Sequence, residues 1–350
     1  MDNNFHKQEL SLVSIIIPCY NEEKYIQRCL DSIIANDYPT EKMEILVVDG
    51  GSSDRTRDII ATNSQRYHFL RLLDNPEQIV PCALNIGLRA ARGEIIIRMD
   101  SHATYPANYI SGLVTWLEKS GADNVGGLWR TLPANDSSIA QAIALGLAHP
   151  FGVGNAYYRI GATEPRWVDT VPFGCWKREL FERLGNFDEE LIRNQDDEFN
   201  HRLLRQGGRI LLVPEIVIDY YARDSLAKIW RMYYQYGYFK PLVARKVGGI
   251  LTIRQLIPAA LVLFLIITGS FGIWSQVMRS IFVFLVVCYG AVDLYFSLKV
   301  SMDKGVKVGI LTGLVFPVLH CSYGLGFLKG VVDFLFFRRK SDVSRISISR

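Results

Sequence analysis

An acidic residue and a histidine stand one residue apart at Asp100-Ser101-His102. The triplet follows the apolar run 95–99, which is typical of a buried strand. A carboxylate and an imidazole at a strand end can bind one divalent cation, and this ligand pair favours Mn²⁺, with Mg²⁺ as the alternative. Such a cation would hold the phosphates of an activated substrate. A loop aspartate beside a structural histidine has the same spacing, so the interpretation depends on the neighbouring elements. By residue type alone, His149 and His201 are candidates for a third ligand.

A second polar cluster, residues 18–23, follows the β-branched apolar run 12–17. Asn21 and Glu22 are candidates for contacts with a ribose or a base. The same residues are also explained as a pair that caps a helix. This cluster is therefore informative only in combination with others.

The third cluster, residues 49–54, follows a second strand at 44–48. Asp49 can accept an imide proton, which would select uracil or thymine, and the small residues beside it let a flat base approach the backbone. Alone, an ordinary turn is the slightly better explanation. In open α/β sheets, however, ligands bind beyond the carboxyl ends of the strands. Acids and amides follow the carboxyl ends of three predicted strands, which favours one crevice that binds a nucleotide.

A candidate general base lies further along, where Gln195-Asp196-Asp197-Glu198 opens a helix. Asp196 is the preferred base for an acceptor hydroxyl and Asp197 is the alternative. Acids are also favoured in any first helical turn by the helix dipole, which is the structural explanation. Upstream, the segment 174–178, which begins with Gly174, is a candidate wall of the acceptor pocket.

The elements that position these residues alternate between strands and helices from residue 12 to about residue 220. This pattern predicts an α/β, Rossmann-like, mostly parallel sheet. We expect a strand near a sheet edge at 126–132 and irregular structure over 134–172. The net charge of +4 among 350 residues is too weak to predict a nucleic-acid partner. The six cysteines form no Cys-x-x-Cys pair, which leaves zinc and redox chemistry unsupported.

The C-terminal third is apolar. Segments 256–274 and 281–298 approach the roughly 20 residues that span a bilayer, and 308–336 is longer and contains Pro317 and His320. The polar start lacks a signal-peptide pattern, which favours a cytoplasmic soluble domain. Lysines between the second and third segments agree with that orientation. The same rule places the basic tail inside, which favours a re-entrant third segment. A plain third span, which would put the tail outside, is the alternative. In the apolar segment, His320 is either functional or a helix–helix hydrogen-bonding residue.

Four motifs occur in an order that resembles family 2 glycosyltransferases, which have the GT-A fold. They are Pro18-Cys19-Tyr20-Asn21-Glu22, Val47-Val48-Asp49-Gly50-Gly51-Ser52-Ser53-Asp54, Asp100-Ser101-His102 and Gln195-Asp196-Asp197-Glu198-Phe199-x-x-Arg202. The branch that the chain resembles most is the succinoglycan-biosynthesis glucosyltransferases, with which it shares Met-Asp-x-His and His320-x-x-Tyr323-Gly324-x-Gly326.

The resemblance covers about residues 12–220 and implies roles for individual residues. It implies that the nucleotide sugar is bound by Pro18, Tyr20, Asn21, Glu22, Asp49, Ser52 and Asp100. It implies that Asp100 and His102 bind the metal and that Asp196 is the catalytic residue. Gly174, Gln195, Asp197 and Arg202 would lie on the acceptor side of the active site. His102 replaces the second aspartate of the family's Asp-x-Asp motif, as in polypeptide N-acetylgalactosaminyltransferases, where such a histidine binds manganese. Gln195 replaces the usual glutamate before the base.

The resemblance also implies an organisation. It consists of an N-terminal tail (1–11), a GT-A domain (12–224), an amphipathic interfacial helix (225–250), a transmembrane region (256–336) and a basic cytosolic tail (337–350). We expect a multi-pass enzyme of the plasma membrane, with a cytoplasmic catalytic domain, in exopolysaccharide or cell-surface glycan synthesis. It would transfer a sugar with inversion from a nucleotide sugar, UDP-linked, to a lipid-linked (polyprenyl-linked) saccharide, in contact with membrane lipid.

Three alternatives stay open. A processive polysaccharide synthase would carry a Gln-x-x-Arg-Trp motif, which residues 235–239 only approximate. A non-catalytic membrane scaffold would not need acids at all three sites. A nucleotidyltransferase would share the sheet and the metal, but would not need Asp196 at an acceptor hydroxyl.

Overall fold

The computed structural model of the protein describes residues 10–249 and 252–339. The N-terminal tail up to residue 9 and the basic tail from residue 340 lie outside the described residues. The described chain divides into two compact units. Unit 1 comprises residues 10–128, 163–187 and 203–218, and unit 2 comprises residues 129–162, 188–202 and 219–339, apart from 250–251.

Nine strands form one mixed sheet in the described part of the chain. They are β1 (Val13–Cys19), β2 (Met43–Asp49), β3 (Leu70–Asp74), β4 (Ile95–Arg98), β5 (Ala103–Thr104), β6 (Asn124–Leu132), β7 (Arg166–Val168), β8 (Cys175–Lys177) and β9 (Ile210–Tyr221). Strands β1 to β4 are parallel, in the order β3-β2-β1-β4. Every residue of β1, β2 and β4 is buried, as expected of strands covered on both faces. The predicted α/β sheet is therefore confirmed.

The second half of the sheet departs from the parallel pattern. Strand β8 pairs antiparallel with β4 and with β6. The strand expected near a sheet edge at 126–132 is β6, which lies between β8 and β9 and is third from the β5 end of the strand order. Its glycines admit close neighbours: a Cβ added at Gly126 would lie 2.6 Å from Cβ of Val171, and one added at Gly127 would lie 2.3 Å from the carbonyl oxygen of Ile216. Glycine here reflects tight packing of the neighbouring backbone.

Thirteen α-helices occur in the described residues. They are α1 (Ile26–Ile34), α2 (Thr56–Arg66), α3 (Val80–Ala90), α4 (Tyr109–Ser120), α5 (Ser138–Leu147), α6 (Pro150–Val153), α7 (Tyr157–Ile160), α8 (Glu179–Leu184), α9 (Gln195–Arg205), α10 (Leu226–Val247), α11 (Ile257–Phe271), α12 (Gln276–Lys304) and α13 (Val306–Gly330). The expectation of irregular structure over 134–172 is thus wrong for α5, α6, α7 and β7. Ser137 caps α5 by accepting the N–H of Ala140, a signal that the small residues of this segment obscure.

Helix α10 packs along α13 in unit 2 at very short distance. A Cβ added at Gly326 would lie 2.1 Å from the carbonyl oxygen of Tyr234, and one added at Gly330 would lie 2.1 Å from that of Tyr238. From the other side, a Cβ at Gly237 would lie 2.0 Å from the carbonyl oxygen of Tyr323. Glycines at these positions let the two backbones touch, as small residues do in membrane helix pairs.

Three helical segments are long and apolar enough to cross a membrane: Ile253–Phe271, Gln276–Lys304 and Val306–Phe336. The third is one continuous helix that passes through Pro317 and ends in a π-helical turn at Val331–Phe336. This continuity favours the plain third span over the re-entrant hairpin. His320 bonds the Tyr289 hydroxyl at 2.8 Å and the Phe151 carbonyl oxygen at 2.8 Å. It therefore has the helix-linking role that the sequence left open.

Candidate active site

Asp49 ends β2, is completely buried, and is held by the turn that follows. Its Oδ2 accepts the N–H groups of Gly51 and Ser52, each at 3.0 Å, and its Oδ1 accepts the Ser52 hydroxyl. Arg57 donates to Oδ2 at 2.8 Å and also pairs with Asp74 at 2.8 Å. Hydrogen bonds to these two carboxylates raise the pKa of Arg57. Asp49 therefore fixes the shape of the turn, and its contact with a nucleotide base stays a prediction.

The loop after β1 is tied to this turn by its backbone. The N–H of Asn21 donates to Ser52 Oγ at 2.8 Å, and Asn21 Oδ1 accepts the N–H of Ser53 at 2.8 Å. The N–H of Glu22 donates to Thr56 Oγ1 at 2.8 Å. Asn21 has φ of +53°, a conformation that asparagine tolerates better than most residues. The two predicted nucleotide motifs therefore form a single surface in unit 1.

Pro18 and Tyr20 complete this surface. Pro18 lies within β1 opposite Val48 of β2. Tyr20 lies against Gly50, where an added Cβ would be 3.5 Å from Tyr20 Cδ2. A Cβ at position 50 would therefore make ordinary van der Waals contact with the ring.

Asp100 lies two residues after the end of β4, and its backbone is fixed by Tyr105. The N–H of Asp100 donates to the Tyr105 hydroxyl at 2.7 Å, and that hydroxyl donates to the Asp100 carbonyl at 3.1 Å. Burial raises the pKa of the Cys29 thiol, which stays neutral and donates to the same carbonyl at 3.5 Å. Arg98 Nη2 pairs with Asp100 Oδ1 at 3.1 Å. The carboxylate is thus held in place while its side chain stays 20% exposed.

His102 lies on the same loop and meets an acid from another strand end. Its Nδ1 is 3.4 Å from Oε1 of Glu22, and both side chains are mostly buried. Strands β1 and β4 are neighbours in the sheet, which brings these two loops together. Glu22, predicted as a nucleotide contact, is thus a third polar group beside the proposed metal pair.

The side chains of Asp100 and His102 are chemically suited to bind a divalent cation. Carboxylate oxygens and an imidazole nitrogen are ligands that Mn²⁺ accepts. Within residues 10–249 and 252–339, no group of three or more His, Cys, Asp or Glu side chains is arranged to hold a metal ion by itself. An ion here would therefore need further ligands, such as oxygens of water or substrate. His149 accepts the N–H of Phe151 through Nδ1 at 3.1 Å and caps α6 in unit 2, and His201 lies on α9.

Gly174 directly precedes β8, and its conformation requires glycine. Its φ is +98°, and a Cβ there would lie 2.2 Å from the Trp176 ring. Its carbonyl oxygen accepts the N–H of Arg98 at 3.1 Å, which fixes the residue beside β4. The predicted wall of the acceptor pocket is thus a short strand of the sheet, and its role toward an acceptor stays a prediction.

The first turn of α9 in unit 2 contains the candidate bases. Lys240 of α10 forms an ion pair with Asp197, and both side chains are largely buried. Asp196 is partly exposed and accepts the N–H of Asp197 at 3.0 Å. Glu198 binds Arg202 through both carboxylate oxygens, at 2.9 and 2.8 Å. Lys240 thus engages Asp197, and the choice of Asp196 as the base stays a prediction.

The loop before α9 is anchored to α10. Arg193 Nε donates to Gln235 Oε1 at 3.2 Å, and Asn194 Nδ2 donates to the Tyr236 carbonyl at 2.9 Å. Gln195 is buried, and Asn194 has φ of +63°. Sequence reasoning missed Gln235 and Lys240 as parts of this site. The only signal was the approximate match of residues 235–239 to a processive-synthase motif.

Comparisons with known proteins identify the family. The model for "Glycosyl transferase family 2" matches residues 14–185. A dolichyl N-acetyl-alpha-D-glucosaminyl phosphate 3-beta-D-2,3-diacetamido-2,3-dideoxy-beta-D-glucuronosyltransferase of Methanococcus voltae is 27% identical over 332 residues, which are 92% of this chain and 98% of the relative. Succinoglycan biosynthesis protein ExoA of Rhizobium meliloti (strain 1021) is 28% identical over 325 residues, which are 91% of this chain and 95% of the relative.

A solved structure extends the comparison to the fold. The mannosyltransferase PcManGT from Pyrobaculum calidifontis, in complex with GDP-Man and Mn²⁺, has a TM-score of 0.60 and 22% identity, and the match covers 93% of this chain and 88% of that one. This likeness confirms a GT-A-like sheet. The chain belongs to glycosyltransferase family 2 and is a glycosyltransferase. Its three apolar helices indicate association with a membrane.

Proposed function

We propose that this protein transfers one sugar, with inversion, from a UDP-linked sugar to a polyprenyl-linked saccharide in exopolysaccharide or cell-surface glycan synthesis. Family membership supports glycosyl transfer. The names of two relatives, one a dolichyl-phosphate-sugar glycosyltransferase and one a succinoglycan biosynthesis protein, support an acceptor of this kind. The observation that carries the proposal is the contact between His102 and Glu22, because these predicted donor-binding residues follow adjacent parallel strands.

The donor side is assigned to unit 1. The turn held by Asp49 and the loop of Asn21 would bind the nucleoside, with Ser52 and Tyr20 at its edge. Asp100 and His102 would hold a divalent cation, Mn²⁺ or Mg²⁺, which when bound neutralises charge on the leaving diphosphate. Mn²⁺ in the structural neighbour PcManGT agrees with this choice.

The acceptor side is assigned to unit 2. Asp196 would take the proton of the acceptor hydroxyl as that oxygen attacks the anomeric carbon, and the nucleotide diphosphate would leave from the opposite face. The ion pair of Asp197 with Lys240 would hold the first turn of α9, which contains Asp196. No covalent sugar–enzyme intermediate is needed, and the anomeric configuration is inverted.

The apolar helices support a multi-pass protein, and we propose that its catalytic domain is cytoplasmic. With three spans, the tail at Arg338 and Arg339 would lie on the far side of the membrane from the catalytic domain. Positive residues are disfavoured on that side. Labelling of cysteines introduced next to this tail, in sealed vesicles, tests the number of crossings directly.

Donor hydrolysis tests the proposed function. Purified full-length protein is expected to hydrolyse a UDP-sugar slowly, to lose this activity with EDTA, and to regain it with Mn²⁺ or Mg²⁺. His102→Ala and Asp100→Asn should each lower the metal-dependent rate by about 100-fold or more. Asp31→Asn, on the exposed face of α1, is the matched control and should be unaffected. Turnover that is insensitive to EDTA would refute the metal-dependent mechanism.

A further inference from the structure

Arg159 of α7 is a buried cation enclosed by aromatic rings. Its side chain is in unit 2, and the residue is 7% exposed. The guanidinium carbon lies 4.4 Å from the ring centre of Trp129, 5.3 Å from that of Tyr158 and 5.8 Å from that of Tyr220. The rings of Trp129 and Tyr220 stack at 4.1 Å. We call these three rings and Arg159 the arginine cage.

The charge of Arg159 is not neutralised by any described residue. Its guanidinium makes one side-chain hydrogen bond, from Nε to the Tyr158 hydroxyl at 3.3 Å. Nη1 is buried and has no hydrogen-bond partner among the described residues. Burial raises the pKa of Tyr158 against the opposing effect of Arg159, so this hydroxyl stays neutral. Arginine itself remains charged at any physiological pH.

A buried, unpaired charge destabilises a folded protein unless other interactions compensate for the lost hydration. Cation–π contacts with the three rings compensate for part of this lost hydration. They leave Nη1 of the planar guanidinium fork without an acceptor among the described residues. This fork matches the oxygens of a phosphate, which it binds through two parallel hydrogen bonds. An oxyanion is the kind of ligand that would satisfy this unpartnered nitrogen.

The surroundings of the cage indicate an anion attached to lipid. Asn155, four residues before Arg159, accepts a hydrogen bond at 2.9 Å from Arg254, which lies at the start of the first apolar segment. Beside the cage, the negative charge of Asp197 contributes to the raised pKa of Tyr158. The cage thus lies near both the entry to the membrane helices and the first turn of α9.

We propose that Arg159, held in the arginine cage, binds the phosphate that joins the acceptor saccharide to its polyprenyl chain. This inference rests on the proposed function, in which the acceptor is lipid-linked. Arg159 would then orient the acceptor so that its sugar hydroxyl faces Asp196. Its role is binding and orientation, and no bond is made or broken at Arg159.

Binding of undecaprenyl phosphate by the full-length protein in neutral detergent tests the proposal. The wild type should bind it about 10- to 100-fold more tightly than undecaprenol, the range expected for charge-assisted hydrogen bonds. Arg159→Met should bind both lipids equally, with an unchanged or higher melting temperature. Arg130→Gln is the matched control, because Arg130 is exposed and already paired with Asp219 at 2.6 Å. It should retain wild-type binding.

Several results would overturn the proposal. These are equal wild-type affinity for the two lipids, undiminished binding by Arg159→Met, and equally tight binding of phosphatidylglycerol. Displacement of the lipid by inorganic phosphate at comparable concentration would assign the cage to a free anion instead. A large drop in the melting temperature of Arg159→Met would show a structural role. If Arg159→Met does not fold, Arg159→Lys retains the charge without the fork, and unchanged lipid preference in it would count against the proposal.

Donor hydrolysis on the same samples separates the two proposals. If the wild type hydrolyses a UDP-sugar but binds undecaprenyl phosphate no more tightly than undecaprenol, only the role of Arg159 is overturned. Absence of turnover of any nucleotide sugar by the wild type would overturn the proposed function.

Discussion

The ion pair between Lys240 and Asp197 should control both the stability of unit 2 and the orientation of Asp196. The side chains are 9% and 18% exposed. Removing one partner of a buried pair costs about 3–5 kcal/mol. Because Asp197 retains some contact with solvent, we expect the lower end, about 3 kcal/mol, which corresponds to a roughly 100-fold change in the folding equilibrium.

A double-mutant cycle measures this coupling. Lys240→Met and Asp197→Leu should each lower the melting temperature of the full-length protein in detergent by several degrees, whereas the double variant should recover most of the loss. The reason is that a well-packed apolar pair can replace a buried ion pair at little cost. Lys240→Met should also lower kcat for transfer while leaving the KM for the donor unchanged, since it disturbs the first turn of α9.

The pair of Lys228 with Asp224 is the matched control. It involves the same helix, with side chains 49% and 40% exposed at 2.8 Å. Its coupling energy should be about 0.3–0.5 kcal/mol, because water screens exposed pairs. Additive effects of the Lys240 and Asp197 substitutions, within about 0.5 kcal/mol, would refute the reasoning.

Two further predictions concern packing and pH. Gly326→Ala places a methyl group against the backbone of α10 and should lower the melting temperature markedly; Gly290→Ala in α12, where nothing lies within 4 Å, should be neutral or slightly stabilising. Hydrogen bonds from Ser14 and Arg92 lower the pKa of buried Glu44 despite its burial. Its stabilising contribution should therefore be present above the unfolded pKa of about 4.3 and be lost as pH falls through the lower folded value. The difference in melting temperature between the wild type and Glu44→Gln should shrink over that range, and a constant difference from pH 7 to pH 3 would contradict this.

The sequence predicted the parallel half of the sheet well. Strands β1, β2 and β4 are apolar runs buried on both faces, and such runs are recognisable without tertiary information. The strand ends then predicted that the loops of Asn21, Asp49 and Asp100 lie on one edge. Strand β8 was not predicted as a strand, because three residues bear no periodicity and tertiary pairing alone makes them extended.

The contacts that refine the site depend on residues far apart in the chain. Lys240 lies 43 positions after Asp197, and no local sequence pattern predicts their pairing. The arginine cage draws on β6, α7 and β9, so neither Arg159 nor Trp129 stood out in the sequence. Local signals thus identified the candidate acids, whereas the partners that distinguish one acid from another come from the tertiary fold.

The most direct test of the central claim is sugar transfer by Asp196→Asn. With a UDP-sugar and a polyprenyl-linked acceptor, this variant should bind the donor as the wild type does, and its rate of transfer should fall by about 10²- to 10⁴-fold, the usual contribution of a general base. The wild-type product should have inverted anomeric configuration. Near-normal transfer by Asp196→Asn would contradict the assignment of the base.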